Sequence, residues 1–185
     1  MIVTDAQADL RRAYVGGGPG AVVSGLVWLV AGWATGRHGT GAGFAHLFLG
    51  GMLIFPLSKL VCRFGFGRAN ELPGNPGGTL VLESTAALIG GLIVAWLLLP
   101  LRPGLVFPVA ALAVGTRYVL FQSAYGDRAY WLLGTLISAV ALAGVALPAS
   151  QGWTVWTVAA IELAAGTLII LADLRRTPPR APTLH

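Results

Sequence analysis

Glu83, Arg117 and Glu162 lie inside long apolar runs of this 185-residue chain. A charged group at membrane depth is costly, so each one is a functional candidate by position alone. Two carboxyls and one guanidinium can do three things there: pair with each other, hold a proton, or bind a cation. Ala86, Ala87 and Gly90 lie near Glu83, Ala110 and Ala113 near Arg117, and Ala159, Ala165 and Gly166 near Glu162. Small-residue faces are where membrane helices approach closely, so these side chains are expected to point inward. With a rise of about 1.5 Å per residue, Glu83 and Arg117 fall within reach of one another, and an ion pair is the simplest expectation. Glu162 falls about a turn deeper, near the middle of its run. Desolvation penalises its charged form, so it is expected to join the pair or to hold a proton.

Other polar groups could line a pocket. His46, Ser58 and Lys59 flank a run broken by Pro56, whose ring removes a backbone donor and kinks a helix. Tyr118 and Gln122 follow Arg117 at helical spacing and give the most polar face of the chain. Gly32 and Gly36 form a small-xxx-small pair suited to helix contact, within the chain or between copies. No phosphate-binding glycine loop, HExxH or GxSxG motif is present. His38 and His46 lack the further ligands a metal needs. Cys62 is the single cysteine, which rules out an intrachain disulfide. The sequence therefore predicts no catalytic residues, no metal site and no cofactor.

The elements that carry these residues follow from hydropathy. The chain is 56% hydrophobic and 10% charged, against about 25% charged in ordinary soluble domains. Six runs, 20–36, 43–61, 80–99, 105–124, 130–147 and 153–174, approach the roughly 20 residues that cross a 30 Å hydrocarbon core. They are apolar on all sides, without the alternation of strands, so the fold class is an all-α bundle of six transmembrane helices. Arg11, Arg12, Lys59, Arg63, Arg68, Arg128, Arg175, Arg176 and Arg180 lie on one side of it, and Arg37 and Arg102 on the other. That asymmetry predicts both termini inside the cell, in a multi-pass protein of the inner membrane. The six tryptophans are expected near span ends. The net charge of +5 sits in short loops, where anionic lipid is a better partner than nucleic acid. The Arg, Ala and Gly bias suggests a GC-rich bacterial genome.

Three parts are expected: an interfacial segment over 1–18, the membrane domain over 19–174 and a disordered, proline-bearing tail over 175–185. Thr4-Asp5-Ala6-Gln7 reads as a capping box opening an amphipathic helix, with Val3, Leu10 and Tyr14 on its apolar face. The glycine-rich stretch Gly16–Gly20 turns the chain into the membrane. The loop 63–79 is rich in Gly, Pro and Asn and favours tight turns. Pairing Glu83 with Glu162 superposes the third span on the sixth and raises a three-plus-three inverted repeat.

The run Asp9-Leu10-Arg11-Arg12-Ala13-Tyr14-Val15-Gly16, the Gly50-Gly51 pair before Phe55-Pro56-Leu57-Ser58-Lys59-Leu60, Asn75-Pro76, and the segment from Tyr118 to Tyr130 resemble a family of unknown function found in small bacterial membrane proteins. The resemblance spans nearly the whole chain. It implies a multi-span membrane protein and brings no activity or site residues. The residues themselves favour transport or conduction of a small solute or ion through buried carboxylates. A non-catalytic oligomeric scaffold or partner subunit, joined through small-residue faces, is the alternative. A lipid-binding protein is the third reading.

Overall fold

The computed structural model describes residues 2–176; the expected tail from Thr177, with Arg180, lies outside them. Seven α-helices make up these residues: α1 (Val3–Tyr14), α2 (Gly18–His38), α3 (Thr40–Leu60), α4 (Pro76–Leu97), α5 (Val106–Tyr125), α6 (Arg128–Ala146) and α7 (Gln151–Arg176). Six helical stretches are long and apolar enough to cross a membrane. The first is α1 continued into α2, and Val15, Gly16 and Gly17, all at positive φ, break it so that α2 alone runs through the bundle. A side chain at Gly17 would collide with the Tyr130 hydroxyl and would be strained at φ 84° besides.

Antiparallel hairpins α2–α3 and α5–α6 form two blocks. The third helix of each half packs on the first helix of the other, α4 on α5 and α7 on α2. That is the exchange a three-plus-three repeat would give, but the halves are not equivalent. Helix α7 also packs on α5 and α6, whereas α4 packs substantially only on α5 among the long helices. The result is a central group of α2, α5, α6 and α7 flanked by α3 and α4. Only 17% of the most apolar stretch is buried in α3 and in α4, against 33% in α7.

Glycine sets the central contacts. A Cβ at Gly166 of α7 would stand 2.8 Å from the Val22 backbone nitrogen and 2.9 Å from the Gly18 carbonyl. Gly25 meets Ala159 and Leu163 in the same seam. Gly115 and Gly134 place α5 and α6 backbone to backbone. Without bulk at these sites the backbones close up, and dispersion replaces the missing hydrophobic drive between helices in lipid. Of the pair expected at a helix contact, Gly32 meets α7, where the Trp156 ring packs against it, while Gly36 has no neighbour within 4 Å among the described residues. Trp28 also departs from expectation. It is buried mid-helix against Phe107, with ring centroids 6.2 Å apart, while Trp33, Trp96, Trp131 and Trp153 are exposed near helix ends.

Helix α1 has no side-chain cap, so the expected capping box is not formed. Gln7 instead donates to the Ser123 carbonyl at 2.9 Å. Nor does Val3 share a buried face with Leu10: Val3 is 69% exposed and Leu10 1%. Asp9, which is not among the residues expected on the apolar face of α1, is buried and organises this end of the bundle. Its carboxylate accepts from Arg12 at 2.6 Å, from the Leu72 N–H at 2.8 Å and from Asn75 Nδ2 at 2.9 Å. Asn75 also caps α4 by accepting from the Gly77 N–H at 2.9 Å, and Pro76 follows at the first helical position. One acidic side chain thus ties α1 to the 66–75 loop and to the start of α4. Arg11 to the Tyr125 carbonyl, Arg68 to Asp173 at 2.9 Å and Arg176 to Asp127 at 3.3 Å complete the closure of this terminal face.

Substituting Gly166 by Ala is expected to cost about 1–3 kcal/mol through overpacking against backbone that cannot move aside. Gly36→Ala is expected to be neutral. Thermal unfolding in detergent checks the contrast, and equal midpoints for the two variants would remove the α2–α7 seam from the account.

Candidate functional site

Apolar and small residues on α2, α5 and α7 close around one charged side chain. Glu162 of α7 has no solvent exposure, with Val158, Ala159 and Gly166 buried beside it on the same helix. Two hydroxyls lie next to its carboxyl, Ser24 from α2 and Tyr118 from α5. Both lie close enough to act on it, yet among the described residues neither carboxyl oxygen is held in good hydrogen-bond geometry. Ser24 is 6% exposed and Tyr118 7%, so the whole cluster is shut off from its surroundings.

Arg117 lies one residue before Tyr118 and is the cation whose field Glu162 feels, but no ion pair within 4 Å joins them among the described residues. Its guanidinium turns to α4. It donates to Thr85 Oγ1 at 3.0 Å and to Ser84 Oγ at 3.5 Å, and it lies 5.0 Å from the centre of the Phe121 ring. Both hydroxyls in turn donate to the Val81 carbonyl, at 2.7 Å from Ser84 and 2.9 Å from Thr85. Arg117 is thereby solvated by hydroxyls and an aromatic face, with no carboxylate in contact.

The expected Glu83–Arg117 pair is not formed. Glu83 is exposed on the outer side of α4, while Ser84 and Thr85 turn inward. A one-residue step rotates a helix by about 100°, which is enough to separate the two directions. Of the other expected lining residues, only Tyr118 belongs to the Glu162 cluster. His46 is exposed, with Nδ1 2.8 Å from the Ala42 carbonyl of its own helix. Ser58 is buried between α3 and α2, where its hydroxyl donates to the Phe55 carbonyl at 3.0 Å. Lys59 sits 5.9 Å from the Phe55 ring at the terminal face. Gln122 is half-buried one turn nearer the terminal face than Tyr118. No group of three or more potential metal ligands exists among the described residues.

Spacing did not disclose the residues linking this cluster to the terminal face. Tyr118 stacks on Tyr130 with ring centroids 6.1 Å apart and planes 15° from parallel. Tyr130 lies 5.1 Å from Tyr125, and its hydroxyl donates to the Gly16 carbonyl at 2.6 Å. Tyr14 is the next electrostatic neighbour of Tyr125, and Glu71 in the loop is that of Tyr14. All four tyrosines of the chain thus form one column running from the terminal face to Glu162. Tyr118, Tyr125 and Tyr130 are close in sequence, but the column crosses three helices and takes Tyr14 from α1, so helical spacing alone did not disclose it. Ser24 carried a readable signal, a hydroxyl beside Gly25 in a span, as did the Ser84-Thr85 pair after Glu83.

The chain belongs to a family of unknown function, DUF7010, whose pattern its residues 3–173 match. No curated protein and no solved structure matches it.

Thr85→Val is expected to weaken the α4–α5 contact by about 0.6 kcal/mol, the usual worth of an interhelical hydrogen bond in a membrane bundle. A double-mutant cycle between Thr85 and Arg117 should recover most of that as coupling, and one between Glu83 and Arg117 should give none. Coupling at Glu83 instead of Thr85 would contradict the geometry.

Proposed function

We propose that this protein is a multi-pass membrane protein that moves a small cation, the proton being the simplest, through reversible occupation of the Glu162 carboxyl. The observation that carries the reading is a fully buried carboxyl whose two oxygens have no hydrogen-bond partner in good geometry among the described residues. A bare carboxylate in a low-dielectric interior is far too costly to persist, so a proton or a cation must accompany it. Structural polar groups in membrane bundles are normally satisfied across helices, as Arg117 is by Ser84 and Thr85. Glu162 departs from that rule, which marks it as a group that exchanges its partner. Ser24 and Tyr118 supply oxygens that could complete the shell of a cation or accept and donate a proton. Arg117, held back by its hydroxyls, lowers the affinity for a second positive charge and so favours release.

In this reading the tyrosine column is the route between Glu162 and the terminal face, and α1 with the 66–75 loop forms the cover over it. The charge asymmetry of the sequence supports a reading in which that face and both chain ends are in the cell interior and the bundle is in the inner membrane.

A second reading, an oligomeric scaffold, draws support from the outward sides of α3 and α4. Gly51 and Gly90 there have open space where a side chain would stand. Such bare glycine positions could seat a helix of another copy.

Glu162→Gln is expected to abolish pH-driven uptake by vesicles reconstituted with the protein, whereas Glu83→Gln should retain it. Flux assays with a pH-sensitive dye inside the vesicle distinguish the two. Unchanged flux in Glu162→Gln, or none in the unmodified protein, would reject the transport reading and leave the scaffold.

A further inference from the structure

The cations of the terminal face are not treated alike. Arg12 is held by Asp9, Arg68 by Asp173 and Arg176 by Asp127. Lys59, Arg63, Arg128 and Arg175 have no carboxylate within 4 Å among the described residues, and of these Lys59 and Arg63 share one helix and an apolar strip. They are four residues apart where α3 passes into a π-helical turn, Val61–Gly65. The wider π turn brings a four-residue step closer to one revolution, so both head groups fall above the same strip of surface. Single π turns often occur at functional positions.

Beneath them lies a groove lined by Phe55, Pro56, Leu60 and Phe64 together with the stems of the two cations. The lining is apolar apart from the two head groups. Lys59 Nζ stands 5.9 Å from the Phe55 ring centre, and Arg63 Cζ 5.6 Å from that of Phe64. Phe64 is 76% exposed. Among the described residues nothing packs over the outer side of this strip, since α3 packs chiefly on α2 and turns Met52 and Leu53 outward. Glu71 shares a neighbouring recess with Lys59, yet it forms no ion pair with it and lies against Tyr14 instead.

An apolar groove that ends in two unpaired cations at the edge of the apolar span is complementary to one class of molecule: a lipid with an acyl chain below and an anionic head above. We infer that Lys59 and Arg63 clamp the phosphate of an anionic phospholipid whose acyl chain occupies the Phe55–Phe64 groove. The guanidinium can give two parallel hydrogen bonds to phosphate oxygens while the ammonium supplies a point charge. The site is separate from Glu162 and does not depend on the transport reading.

The test is native mass spectrometry of the full chain in detergent, with phosphatidylglycerol and phosphatidylcholine as competing probes. Wild-type protein should retain phosphatidylglycerol in preference. Lys59→Gln combined with Arg63→Gln should reduce that retention about thirtyfold, the loss expected when charge-assisted hydrogen bonds to phosphate are removed. Arg128→Gln combined with Arg175→Gln, which removes the same charge from α6 and α7 on the same face, should leave it unchanged. Equal retention of the two lipids by wild type would overturn the site, as would an unaffected Lys59/Arg63 variant. Loss of the same size in the Arg128/Arg175 variant would also overturn it, by showing that diffuse charge suffices. If the Lys59/Arg63 variant fails to fold, Arg63→Gln alone, on an exposed side chain, is read against the same outcomes.

Discussion

An apolar bundle can bury a carboxyl group only if something neutralises it, and the arrangement around Glu162 follows from that constraint. The carboxyl sits where α7 meets α2 and α5, at a seam that glycine makes close enough to exclude water-sized gaps beside Gly18, Gly25 and Gly166. The same closeness that gives α2 and α7 their contact removes the space in which a permanent partner might have been built. Ser24 and Tyr118 come near without bonding, and Arg117 is drawn off to α4. The neighbouring hydroxyls of Ser84 and Thr85 hold the Arg117 guanidinium against α4, away from the buried acid.

The two ends of the molecule are built differently. At the terminal face, Asp9, Asn75, Arg11, Arg68 and Arg176 knit α1, the 66–75 loop and the ends of α5 and α7 together. At the opposite end the connections are short: Gly39 alone joins α2 to α3, and single turns precede α5 and α7. A carboxyl reached through a tyrosine column from the knitted face would be gated by those hydrogen bonds. Helix α1 packs against protein through Ala6, Asp9, Leu10 and Ala13, where the sequence pattern had placed it against lipid.

The sequence disclosed the helices well because each depends on a local property, a run of apolar residues long enough to cross lipid. It disclosed Glu162 as buried for the same reason. What it missed depends on angles. Whether Glu83 or Ser84 faces α5 turns on one residue of rotation, and a span that is apolar on every side has no periodic stripe from which to read it. Asp9 was misplaced because α1 is too short to fix a face by pattern, and its buried side is set by Leu72 and Asn75, over sixty residues away. Gly32 and Gly36 had the spacing of a helix contact, yet only Gly32 meets α7, through Trp156, and the backbones approach each other at Gly18, Gly25 and Gly166 instead. Spacing says which glycines share a face and leaves open which neighbour that face meets. The Asn75-Pro76 cap was legible in principle, and reading it would have started α4 four residues earlier.

Infrared difference spectroscopy of the carboxyl stretch addresses the central claim most directly, because it reports on the acid itself instead of on flux. A shift of pH or addition of a small cation should change a protonated-carboxyl band in the reconstituted protein, and that band should vanish in Glu162→Gln and persist in Glu83→Gln. A spectrum in which no band responds, or in which the responding band survives loss of Glu162, would mean that this carboxyl never exchanges its partner and that its burial is structural.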